Sequence, residues 1–140
     1  MKNPDRQFEE FIEFLTVFIG ELNALALDGA AVLVEGKRDR LAMVELGYKG
    51  PIITKASLHS QKGIETLRSV RLAVILTDFD GEGRRLAARY AEFFALRGID
   101  VSLTQRRRLL KAARGRFLHV ENLVRFGPTV QEITAILTGA

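Results

Sequence analysis

Two acids one residue apart, Asp78 and Asp80, stand in the run Thr77-Asp78-Phe79-Asp80-Gly81-Glu82-Gly83, directly after an apolar stretch and ahead of a helix-forming one. Two carboxylates at the exit of a buried strand, with a glycine turn behind them, form a cradle for a divalent cation. Side chains two apart at a strand end point to the same side, so Asp78 and Asp80 are expected to converge while Phe79 turns into the core. Gly81 and Gly83 then let backbone amides approach a phosphate beside the N-terminus of the next helix. The plainer reading of the same residues is an Asp-rich turn that caps a helix.

A second place is Glu35-Gly36-Lys37-Arg38-Asp39, which follows the apolar run Ala30-Ala31-Val32-Leu33-Val34. Glu35 would sit at the sheet edge, Gly36 permits a sharp turn, and Asp39 falls in a first helical turn where the dipole favours an acid. A strand, a turn and an acidic helix start account for this segment without chemistry.

The elements that must position these acids alternate along the chain. Phe8, Phe11, Ile12, Leu15, Phe18, Ile19, Leu22 and Leu25 recur at steps of three and four, predicting an amphipathic helix over residues 5–27. Short strands are expected at 30–34, 52–54, 71–77 and 99–103, with helices at 38–46, 60–69, 83–96 and 130–137. A basic segment covers 106–116, and Phe117 to Val120 reads as a fifth strand. The run Ala30 to Val34 lacks polar alternation, as a parallel strand covered on both faces does. This pattern predicts an α/β fold, a single doubly wound, mainly parallel sheet with helices on both faces and an N-terminal helix. Ligands bind such sheets at the carboxyl ends of the strands, where both acidic places fall.

Composition narrows the chemistry. The chain has 140 residues, 47% of them hydrophobic, which suits one domain with a real core. It contains no cysteine and two histidines, His59 and His119, so thiolate zinc sites are excluded and any metal is held mainly by oxygen. Both histidines read as ordinary loop or strand residues. The net charge is +4, compatible with a polyanionic partner. The N-terminal residues show neither a signal peptide nor a membrane span, so a cytoplasmic protein without a membrane partner is expected.

Taken together, Val34-Glu35-Gly36-Lys37-Arg38-Asp39 and Ile75-Leu76-Thr77-Asp78-Phe79-Asp80-Gly81-Glu82-Gly83-Arg84 resemble the signature of the Toprim domain, over about residues 30–103. That module is shared by topoisomerases, bacterial-type primases, OLD-family nucleases, RecR-type recombination proteins and small ribonucleases. The Glu-Gly-Lys form is especially similar to the ribonuclease that matures a small ribosomal RNA and to small stand-alone Toprim proteins. The resemblance implies that Glu35 acts as general acid or base and joins Asp78 and Asp80 in holding Mg2+, with Mn2+ as a substitute. It implies supporting roles for Gly36, Asp39, Gly81 and Gly83. The expected organisation is a Toprim core at 30–103, an N-terminal helix at 5–28 and a basic extension at 104–140.

On this resemblance, the expected function is magnesium-dependent phosphoryl transfer on nucleic acid, as a nuclease or RNA-processing factor. Lys37, Arg84, Arg106, Arg107, Arg108, Lys111 and Arg114 would contact the backbone of the partner, RNA ahead of DNA. The alternative is a non-catalytic module that keeps the acids to bind metal and nucleic acid. A homodimer or a larger nucleic-acid-processing complex is a further expectation. The chain departs from the family in lacking glycine in the turn 53–57, and it shows no topoisomerase tyrosine domain, primase zinc module or ATPase. Asp78-Phe79-Asp80-Gly81 also looks like the first motif of haloacid-dehalogenase-type phosphatases, but that motif continues Gly-Thr-Leu and lies on a first strand. Lys37 and Lys55 stand at strand exits from which a phosphate could be reached, with a solvated lysine as the plainer reading. Glu121 has no assigned place.

Overall fold

The computed structural model describes residues 4–139; the terminal residues 1–3 and 140 of the expected single domain lie outside the described residues. Helix α1 (Pro4–Leu27) is followed by β1 (Ala30–Val34), α2 (Lys37–Glu45), β2 (Ile52–Thr54), α3 (Gln61–Leu67) and β3 (Leu72–Ile75). Then come α4 (Gly81–Ala95), β4 (Asp100–Ser102), α5 (Thr104–Ala113) and α6 (Gly127–Thr138). The four strands form one parallel sheet in the order β2-β1-β3-β4.

Strand residues divide by parity between two cores, because successive side chains point to opposite faces. Ala30, Val32, Val34 and Val74 pack on one face with α1, α2, α5 and α6; Ala31, Leu33, Ala73 and Ile75 pack on the other with Leu67 of α3 and Phe94 of α4. All five residues of β1 are buried, as a strand covered on both sides requires. In α1, Phe11, Leu15, Phe18 and Leu22 enter the first core, so this helix covers its own sheet.

The order of the strands places the site. Helix α2 leaves β1 toward one face of the sheet, whereas α4 leaves β3 toward the other. Loops that diverge in this way open a crevice at the carboxyl ends of β1 and β3, the switch point of a doubly wound sheet. Glu35 follows β1 directly, and Asp78 and Asp80 lie three and five residues past the end of β3.

Three expectations are corrected by packing. Phe117 to Val120 is not a fifth strand: it crosses the end of the sheet, where the Phe79 N–H donates to the Leu118 carbonyl at 2.7 Å, and passes into a 3-10 segment at Val120–Phe126. Phe117 and Val120 still enter the core, which explains their apolar character. Strand β3 stops at Ile75, so the segment through Phe79 is irregular chain. Helix α6 starts at Gly127 with Pro128 in its first turn, where a missing N–H costs nothing, so the Gly-Pro pair begins the helix ahead of the expected residue 130.

Candidate metal centre

The irregular chain after β3 is held from every side. Arg106 of α5 is buried, and its guanidinium donates to the carbonyls of Thr77 at 3.2 Å and Asp78 at 2.6 Å. The Thr77 hydroxyl, fully buried, donates to the Gly83 carbonyl at 2.6 Å. Gly83 is also in close approach: a Cβ there would lie 1.9 Å from the Asp78 carbonyl oxygen. Glycine is therefore required by space, and it lets α4 abut the acidic turn. Gly83→Ala is expected to destabilise the protein by about 1–3 kcal/mol or more, as overpacking does, measured by urea unfolding. A Gly83→Ala variant of unchanged stability would contradict this packing.

The acids meet across the crevice. One Glu35 carboxylate oxygen, Oε2, accepts the Asp78 N–H at 2.7 Å, tying the end of β1 to the turn after β3. Asp78 Oδ1 accepts the Val120 N–H at 2.8 Å, and Oδ2 lies 3.2 Å from His119 Nδ1. Asp80 caps α4, its Oδ1 accepting the Gly83 N–H at 2.7 Å, while its Oδ2 lies 3.9 Å from His119 Nδ1. The capping reading of Asp80 thus holds for one oxygen, and the other is left facing His119 and the crevice. Buried Asp39 accepts the Gly36 N–H at 2.9 Å and so fixes the turn that follows Glu35.

Among the described residues, one group has ligand atoms close enough to hold a metal ion: Asp78, Asp80 and His119, all within 4.8 Å of one another. Glu35 stands beside this group through the Asp78 amide but is not part of it. His119, expected to be an ordinary strand residue, instead faces both aspartates. No local pattern marks it, since the contact joins positions 41 residues apart and depends on how the chain after α5 crosses the sheet.

Electrostatics favour a cation here. Burial pushes the Glu35 carboxyl up to about 7, a rise moderated by the Asp78 amide and reinforced by the charges of Asp78 and Asp39. Burial and the Asp78 charge also raise Asp39. The His119 side chain is about half exposed, and its hydrogen bond to Asp78 raises it above the usual imidazole value. Crowded carboxylates that resist ionisation fit a site whose positive charge is supplied by a bound divalent ion.

The expected nucleic-acid contacts separate into two sets. Arg107, Lys111 and Arg114 are exposed along or just after α5, and Lys37 and Arg84 are exposed at the starts of α2 and α4. Arg106 is not available: it is consumed in holding the acidic turn. Arg108 is half-buried and paired with Glu21 at 2.5 Å. Replacing Arg106 with methionine is expected to cost about 1–3 kcal/mol for each carbonyl it orphans, measured by chemical denaturation. An Arg106→Met variant as stable as the parent would overturn this role.

A parallel α/β sheet with acids gathered at its switch point defines a class that the comparisons specify. The chain matches the Toprim domain over residues 29–105, and it belongs to that family. It is 36% identical over 96 residues to UPF0292 protein MJ1624 of Methanocaldococcus jannaschii, covering 67% of this chain and 74% of that protein. It is 30% identical over 132 residues to a UPF0292 protein of Methanosarcina acetivorans, covering 92% and 90%. A solved protein structure from Aquifex aeolicus shares the fold with a TM-score of 0.63 at 24% identity, covering 75% of this chain and 94% of that one.

Proposed function

We propose that the protein is a magnesium-dependent phosphoryl-transfer enzyme acting on nucleic acid, as a nuclease or RNA-processing factor. The observation that carries this reading is Glu35, a carboxyl pushed up to about 7 and hydrogen-bonded to the backbone of the metal-ligand candidate Asp78. A general acid or base works best when its pKa lies near the operating pH. Asp78 and Asp80 are the residues that would hold the cation, and hard oxygen donors suit Mg2+ or Mn2+. When bound, the cation would supply charge stabilisation to a phosphoryl oxygen. Glu35 moves a proton to or from the attacking or leaving oxygen, and Arg106 and Asp39 keep the two turns in register. Exposed Lys37, Arg84, Arg107, Lys111 and Arg114 contact the phosphate backbone, with RNA preferred over DNA as the partner. No helix among the described residues is long and apolar enough to cross a membrane.

A second reading has its own observation. Both oxygens of Asp78 and one of Asp80 already have partners within the chain, as they would in a module that binds nucleic acid without cutting it. A panel of structured RNAs and single- and double-stranded DNAs, incubated with Mg2+ or with EDTA, separates the two. Metal-dependent cleavage supports the enzyme; binding that depends on Lys111 and Arg114, without cleavage of any substrate, supports the module.

A further inference from the structure

A cleft of about 280 Å³ lies on the α4 side of the sheet, outside the acidic group. Its floor and one wall are Leu86, Arg89, Tyr90 and Phe93, which recur at steps of three and four and therefore share one face of α4. The other wall is Lys55 and His59, just past the end of β2. Lys55, Arg89 and His59 are exposed, and none of them forms an ion pair among the described residues. Phe93 is itself stacked by the Arg97 guanidinium, 3.5 Å from its ring centre, which leaves Tyr90 as the aromatic face for a ligand. Tyr90 is half-buried, and its hydroxyl is raised by burial, lowered by Arg89 and raised by the charge of Glu35. The cleft and Glu35 are thus electrostatic neighbours.

We infer that this cleft is a nucleotide subsite, taking one base against Tyr90 and its phosphate between Lys55 and Arg89. The cleft combines unpaired cations, an aromatic wall and the volume of a single nucleotide, which is the chemistry of single-strand recognition. A duplex does not fit, since its bases are stacked and paired and have no free face to offer Tyr90. This inference rests on the reading of the Glu35 crevice as a site that handles nucleic acid. It adds that a single strand crosses from the acidic group to the β2 side, with the nucleotide beside the reacting phosphate held in the cleft.

The test is fluorescence anisotropy with the full chain and a labelled strand of about ten adenylates, within the site sizes usual for single-strand binders, in EDTA so that nothing is cut. Tyr90→Leu is expected to weaken binding about tenfold, the lower part of the usual range for base stacking, while Tyr90→Phe retains it. Arg89→Gln and Lys55→Gln, both at exposed positions where folding is safe, are each expected to weaken binding and flatten the dependence of log affinity on log salt, and the double variant by about 0.7, the one phosphate they share. A strand of the same length with abasic sugars should bind more weakly and be insensitive to Tyr90→Leu. The inference falls if Arg89→Gln and Lys55→Gln leave both affinity and salt slope unchanged. It falls equally if Tyr90→Leu acts the same on the abasic strand as on the adenylate strand. Should these dependences hold while no substrate is cleaved with Mg2+, the subsite stands and the enzymatic reading fails; cleavage without them keeps the enzyme and removes the subsite.

Discussion

Asp78→Asn is expected to abolish metal-dependent cleavage while leaving the fold intact. The side chain keeps an oxygen to accept the Val120 N–H, so the crossing segment stays anchored. What it loses is the charge that, with Asp80, would hold the cation. Lewis-acid stabilisation of a transferring phosphoryl group is worth several kcal/mol, so the rate should drop by about 10³-fold or more. The variant should also lose any rise in melting temperature on adding Mn2+, because a ligand stabilises only the state that binds it. In the absence of metal its stability should change little, since relief of the crowding with Glu35 and Asp39 is set against a weakened contact with His119. A large metal-free loss of stability would show instead that Asp78 serves the fold alone.

Glu35→Gln is expected to move activity and stability in opposite directions. Acid–base assistance is typically worth about 10²–10⁴-fold, so cleavage should fall by that factor. The stability effect follows from the sign of the shift. Glu35 is raised in the folded protein from 4.5 to about 7, so between those values the folded chain holds a proton that the unfolded chain has released. Stability therefore falls as pH rises through that window. Glutamine removes this loss while keeping an oxygen to accept the Asp78 N–H. The variant should match the parent below about pH 4.5 and exceed it at pH 8 without metal, by less than the 1.4 kcal/mol that each tenfold change in proton affinity is worth, because Glu35 is partly solvated. Melting curves across this pH range check the sign. A parent that gains stability between pH 5 and 8 relative to Glu35→Gln would refute the assigned environment of Glu35.

The parts of this architecture that were legible in the sequence are those governed by local periodicity. The steps of three and four in α1 and the unbroken apolar run of β1 fix their elements without help from the rest of the chain. The acids could be placed because ligands bind parallel sheets at the carboxyl ends of the strands, which needs only where each strand stops, and Glu35 and Asp78 do meet there. What escaped depends on contacts between distant positions. Phe117 and Val120 are apolar because they fill the core beneath the site, and the same composition serves a strand or a crossing loop. Arg106 sits in a run of three arginines, and only its place on α5, turned toward Thr77 and Asp78, separates it from its exposed neighbour Arg107. His119 joins the aspartates because Val120, one residue on, is pinned by Asp78 itself.

The most direct test is a crystal soaked in Mn2+, with anomalous scattering used to locate the ion. The account predicts a peak bound by the carboxylates of Asp78 and Asp80, next to Glu35, that disappears in Asp78→Asn crystals. No peak at these carboxylates in the parent at saturating Mn2+, with His119 still bridging the two aspartates, would contradict it.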